Sequence, residues 1–213
     1  MRLLPRLLSA LPDLALGGTF LITWFRPLAF GDSMLPYAML TMLLEFFVIH
    51  SAAFMGLALW GPAPAWKKTL WVIGLAAMYS TFLLAFGFAA GQWWPMWAFW
   101  GLTANRLTHA LFHRGPTRVS PHMSAEWGLS VLWYLVWVFA TVFLPLPRFG
   151  ITEEVAAAAG LPGEGLWVDQ PHRFVIAGAG YFLCQAWMEL AGYTLAGPPG
   201  HDHGDRPRPG SRA

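Results

Sequence analysis

The chain has 213 residues, of which 56% are hydrophobic and only 11% charged, and its formal net charge is +2. Soluble domains carry roughly 25% Asp, Glu, Lys and Arg, so this supply is too small to cover a water-soluble globule, and so apolar a chain is not disordered as a whole. A single cysteine, Cys184, excludes a disulfide scaffold and any CxxC metal or redox motif. With a mean hydropathy of +0.48, the remaining class is a polytopic membrane protein whose main partner is the lipid bilayer.

The N-terminal stretch carries Arg2 and Arg6 before Leu7 and Leu8, like the basic start of a secretory signal. Pro12 and Asp13 interrupt the apolar run, and no small-x-small cleavage site follows, so the segment is expected to be retained. The first apolar run, about Leu14–Phe30, is interrupted by Gly17, Gly18 and Arg26–Pro27. It reads either as a first span or as a re-entrant or interfacial segment.

Five stronger runs follow, at about Leu35–Trp60, Thr69–Ala90, Met96–His113, Trp127–Leu146 and Phe174–Thr194. Each approaches the roughly 20 apolar residues that a span needs, and each is bounded by Pro, Gly or charge. Lipid tolerates only helices or closed barrels, and these runs are too long for barrel strands. The expected fold is therefore an all-α transmembrane bundle of about six spans, or five plus the first segment. Residues 1–196 are read as one domain. Residues 197–213, rich in Pro, Gly and charge, are read as a disordered tail.

Lys and Arg collect on the cytoplasmic side of membrane proteins. With six spans and a cytoplasmic N-terminus, nine of the 13 fall inside, Arg26, Arg148 and Arg173 fall outside, and Arg106 falls within a span. Both termini are thus expected in the cytoplasm, and the protein in the cell membrane. The outer loop from Pro147 to His172 is acidic, with Glu153, Glu154, Glu164 and Asp169. Thr152, followed by two glutamates, an alanine run and Gly160, has the pattern of a capped short helix. This loop either covers the mouth of the bundle or is a solvated connector. Tryptophans such as Trp60, Trp66, Trp71, Trp93, Trp94 and Trp127 fall at span ends, as an interfacial belt requires. No phosphate-cradling loop, dinucleotide fingerprint or HExxH helix is present, and no nucleic-acid partner is expected.

Ionisable groups inside spans are costly and are functional candidates. They are Glu45 and His50 on the second span, Asn105, Arg106, His109 and His113 on the fourth, and Gln185 and Glu189 on the sixth. Tyr79, Ser80, Thr81 and Cys184 are milder cases. Glu45 lies ten residues after Leu35, and Arg106 ten after Met96, so equal depth predicts a Glu45–Arg106 ion pair with Asn105 beside it. His50 and His109 differ by two residues, about 3 Å in depth.

Asn105, His109 and His113 recur every four residues and share a face, whereas Glu45 and His50 diverge by roughly 140°. The cluster allows several readings. A haem could sit between His50 and His109 or His113. A transition metal could be held by His50, His109, His113 and a carboxylate from Glu45 or Glu189, in a redox or assembly role. The same groups could form a proton or solute pathway, or polar glue between helices in an accessory subunit that binds other membrane subunits or itself. His201 and His203 on the tail form a weak additional metal pair.

Overall fold

A computed structural model describes residues 3–59, 63–112 and 121–191, and within them it contains helices and no strand. The helices are α1 (Leu3–Phe25), α2 (Met34–Leu59), α3 (Ala65–Ala90), α4 (Trp94–Phe112), α5 (Pro121–Phe143), α6 (Glu153–Ala158), α7 (Leu166–Asp169) and α8 (His172–Ala191). Four are long and apolar enough to cross a membrane, over Leu4–Phe25, Met34–Leu59, Ala65–Ala90 and His172–Ala191. That content suggests a membrane protein. Helix α4 is diluted by Asn105 and Arg106, and the apolar stretch within the described side chains of α5 is Trp127–Phe143.

The first segment corrects the expectation of an interrupted run. Helix α1 starts at Leu3 and continues unbroken through Pro12, Gly17 and Gly18. Gly17 is a packing notch in this helix, whereas Gly18 is open. A Cβ on Gly17 would lie 2.9 Å from the Leu183 side chain, and one on Gly178 would collide with the Phe20 ring. Helices α1 and α8 therefore approach backbone to backbone, as small residues permit in membrane bundles. On the far side of α8, Gly180 receives the indole of Trp137 from α5 in the same way.

Helix α8 is consequently the axis of the larger core. Phe174, Val175, Ala177, Tyr181 and Phe182 pack there with Phe20 of α1, Leu35, Ala38 and Met42 of α2, and Tyr134 of α5. A second core joins Phe47 and Met55 of α2 to Val72, Ala76, Tyr79 and Leu83 of α3 and Phe99 of α4. Helix α2 belongs to both. At one end of the bundle the α1–α2 and α5–α6 connections meet. The Trp24 indole donates to the Pro147 carbonyl at 2.9 Å, and the Gly150 amide donates to the Trp24 carbonyl at 3.1 Å. Gly150 is required there, because a Cβ would collide with the Phe25 carbonyl.

The loop between α5 and α8 is a cap and not a solvated connector. Thr152 has extended backbone and its hydroxyl accepts from the Val155 amide at 3.3 Å, forming the expected N-cap, while Gly160 takes a left-handed φ of 55° just past the helix. Ile151 is buried, and Val155, Ala159, Leu161 and Trp167 pack onto the larger core. Arg173, placed on the outer side from sequence, caps α5. Its Nη1 donates to the carbonyls of Thr141, Val142 and Leu144, and its Nε to Gln170 Oε1 at 2.7 Å. A guanidinium at a helix C-terminus satisfies orphan carbonyls and complements the helix dipole. Residues 192–213, which include the tail and its two histidines, lie outside the described residues.

Candidate functional site

The polar groups that the fold brings together lie between α2, α5 and α8. Tyr181 OH donates to Glu45 Oε1 at 2.6 Å. Gln185 Nε2 donates to Tyr181 OH at 3.2 Å and to Ser130 Oγ at 2.8 Å. A hydrogen-bonded chain thus crosses the bundle from Ser130 on α5, through α8, to the carboxylate on α2. Tyr134 of α5 meets Tyr181 edge to face at 5.4 Å and donates its hydroxyl to the Met42 carbonyl at 3.1 Å. This bond holds α5 against the same turn of α2 that presents Glu45.

Two further carboxylates lie beside this chain. Asp13 of α1 is close enough to Glu189 and Glu45 for their charges to interact. Glu189 Oε2 and Gln185 Oε1 are both buried without a hydrogen-bond partner. Among the described residues the recorded ion pair is Arg148–Glu153 at 2.7 Å, exposed at the capped end. The three interior carboxylates therefore form no ion pair with any described Lys or Arg. Such a region is favourable for positive charge, whether a proton or a small cation.

The remaining sequence candidates are dispersed. Arg106 does not reach Glu45; its Nη1 donates to Ser51 Oγ at 3.0 Å and contacts Met55 Sδ at 3.1 Å. Ser51 is six residues beyond Glu45, about 9 Å along α2. The expected ion pair fails because α2 and α4 do not start level, so equal counts from their starts are unequal depths. Asn105 is exposed on the outer face of α4 and does not approach the carboxylate.

His50 turns back on its own helix, with Nδ1 2.8 Å from the Phe46 carbonyl oxygen and its ring 3.9 Å from the Phe46 ring. Glu45 faces α8 instead, as their angular divergence requires, so the pair does not converge on one ligand. The side chain of His109 and the whole of His113 lie outside the described residues. Among the described residues no group of three or more His, Cys, Asp and Glu side chains is arranged to hold a metal; the metal and haem sets read from sequence both require His109 or His113, whose side chains fall outside them.

The milder candidates have structural partners. Ser80 Oγ donates to the Ala76 carbonyl and accepts from the Trp100 indole at 3.0 Å. Thr81 donates to the Met78 carbonyl at 2.7 Å, and Cys184 Sγ accepts from the Trp137 indole at 3.4 Å. A groove of about 530 Å³ between α1, α5 and α8, lined by Trp24, Trp133, Trp137 and Trp187 among other apolar residues, runs past Cys184.

Tyr181, Ser130, Tyr134 and Asp13 were not legible as site residues from sequence. One signal was available: Tyr181, Gln185 and Glu189 recur every four residues, which places them on one face of α8. Asp13 lies inside α1, which begins at Leu3, and not at a break before Leu14 as the sequence suggests. Comparison of the chain with protein-family models, with curated proteins and with solved structures found no match.

Proposed function

We propose that the protein is a six-span integral membrane protein of the cell membrane, both termini cytoplasmic, whose interior site conducts a proton or a small monovalent cation. The observation that carries this reading is the Glu45–Tyr181–Gln185–Ser130 chain, with Asp13 and Glu189 beside it and, among the described residues, no base ion-paired to these carboxylates. The Tyr181 phenol can exchange a proton with the Glu45 carboxylate, while the Gln185 amide, which donates to both Tyr181 and Ser130, orients the phenol and carries no proton itself. Ionisable groups at bundle interiors in membranes mark such pathways.

The orientation is supported by charge. Nine of the 13 Lys and Arg, among them Lys67 and Lys68 at the start of α3, fall on the proposed inner side, against three at the capped end: Arg26 and Arg148 in connections and Arg173 in the first turn of α8. Reconstitution into liposomes tests the function. Acidification of a trapped pH dye under a potassium-diffusion potential reports proton flux, and a sodium-sensitive dye reports the cation alternative. We expect flux that falls strongly in Glu45→Gln and in Tyr181→Phe. Vesicles no leakier than protein-free ones, or variants as active as the parent, would refute the pathway.

A further inference from the structure

We propose that the protein pairs with a second copy of itself through the outer face of α4, with Asn105 of each copy hydrogen-bonded to its twin. The proposal rests on the reading of α4 as a span. Phe99 and Thr103 face the bundle and are fully or almost fully buried, while Trp97, Gly101, Ala104, Asn105 and Thr108 are exposed. Asn105 is the twelfth of the 19 residues of α4, near mid-helix, and no described group bonds its amide. In hydrocarbon an amide without a partner loses its water hydrogen bonds and gains nothing. Thr108 avoids this by donating to its own Ala104 carbonyl at 2.8 Å; Asn105 has no such arrangement.

A second observation comes from Gly101, one turn before Asn105. The glycines at 17, 178 and 180 each receive a neighbouring side chain, but a Cβ on Gly101 would meet nothing within 4 Å. Packing within one copy therefore gives no reason for glycine at this helix-interior position, where it is destabilising relative to alanine. Gly74 on α3 is equally open, yet its neighbours one turn away, Leu70 and Met78, are apolar. Gly18 on α1 and Gly128 on α5 are open as well, but among the described residues it is on α4 that an open glycine stands one turn from an exposed amide with no hydrogen-bond partner.

The occupant follows from the chemistry. An amide is both donor and acceptor, so this face is complementary to itself. All copies insert with the same orientation, so a two-fold axis along the membrane normal brings two α4 helices together in parallel and two Asn105 side chains to the same depth. Gly101 then admits the partner backbone, as small residues do in paired membrane helices.

The test uses the full chain in native membranes. The lone cysteine is removed by Cys184→Ala, and Thr108→Cys is introduced one turn from the retained Asn105. Mild copper–phenanthroline oxidation should give a disulfide-linked dimer. Adding Asn105→Leu should lower the cross-linked fraction by about five- to thirtyfold, the range set by interhelical hydrogen bonds in bilayers. Leu102→Cys, about 100° round the helix from Gly101, serves as the comparison in the same background. Equal cross-linking of Thr108→Cys and Leu102→Cys, or cross-linking unaffected by Asn105→Leu, overturns the pairing. Labelling of Leu102→Cys by a membrane-impermeant maleimide in sealed vesicles of either sidedness shows instead that α4 lies outside the bilayer. The span reading then fails, and the pairing with it.

Discussion

Glu45 and Arg106 provide the sharpest quantitative test of how the bundle is assembled. If they formed an ion pair, removing either partner would strand the other, at about 3–5 kcal/mol each, and the double substitution would recover most of that loss. The structure gives them separate partners, Tyr181 for Glu45 and Ser51 for Arg106. Their anchoring turns on α2 are about 9 Å apart, and they share no hydrogen-bonding residue. Effects at sites so separated add to within about 0.3–0.5 kcal/mol. Glu45→Gln exchanges a charge-assisted bond for a neutral one and should cost roughly 1 kcal/mol. Arg106→Met keeps an apolar stem of similar length and loses the bond to Ser51, for a change of about 1 kcal/mol in either direction.

The assay is equilibrium unfolding in mixed micelles on SDS titration, with both singles and the double variant measured in one lipid–detergent mixture. The expected coupling energy between positions 45 and 106 is within about 0.5 kcal/mol of zero. The companion cycle, Glu45→Gln with Tyr181→Phe, removes a direct bond and should couple by about 1–3 kcal/mol. A 45–106 coupling above about 1 kcal/mol, or a vanishing 45–181 coupling, would refute the assigned partners.

Three other outcomes follow from the same packing. Gly178→Ala forces a methyl into the Phe20 ring and should destabilise by at least about 1–3 kcal/mol, whereas Gly74→Ala, which meets nothing, should be neutral or stabilising by up to about 1 kcal/mol; thermal melts in detergent distinguish them. Thr152→Ala removes the α6 cap and should cost about 1 kcal/mol, read as faster hydrogen exchange confined to residues 153–160 with α8 unchanged. A topology reporter inserted beside Pro64 should give a cytoplasmic signal and one beside Gly163 an external signal; the reverse pair of signals would invert the proposed orientation.

The sequence alone determined the class of this protein. An apolar majority and scarce charge point to lipid as solvent, and lipid favours helices, so the helical character of all five stronger runs could be read directly, as could the capped helix after Thr152 from its own N-cap pattern. Local chemistry suffices for these, since length, hydropathy and caps depend on neighbours in the chain. What the sequence did not determine is how helices stand relative to one another. Gly17 reads as an interruption of the first run, but in the fold it is the notch that Leu183 occupies. Glu45 and Arg106 seemed level until α2 and α4 were docked with unequal starts. Nothing near Tyr181 in the chain indicates that its hydroxyl meets Glu45 across the bundle. Rotation and axial offset of packed helices are set by side-chain shape over many contacts, and no window of sequence contains both partners. That is why the carboxylate site was decided only by the tertiary structure, although every residue in it was visible from the start.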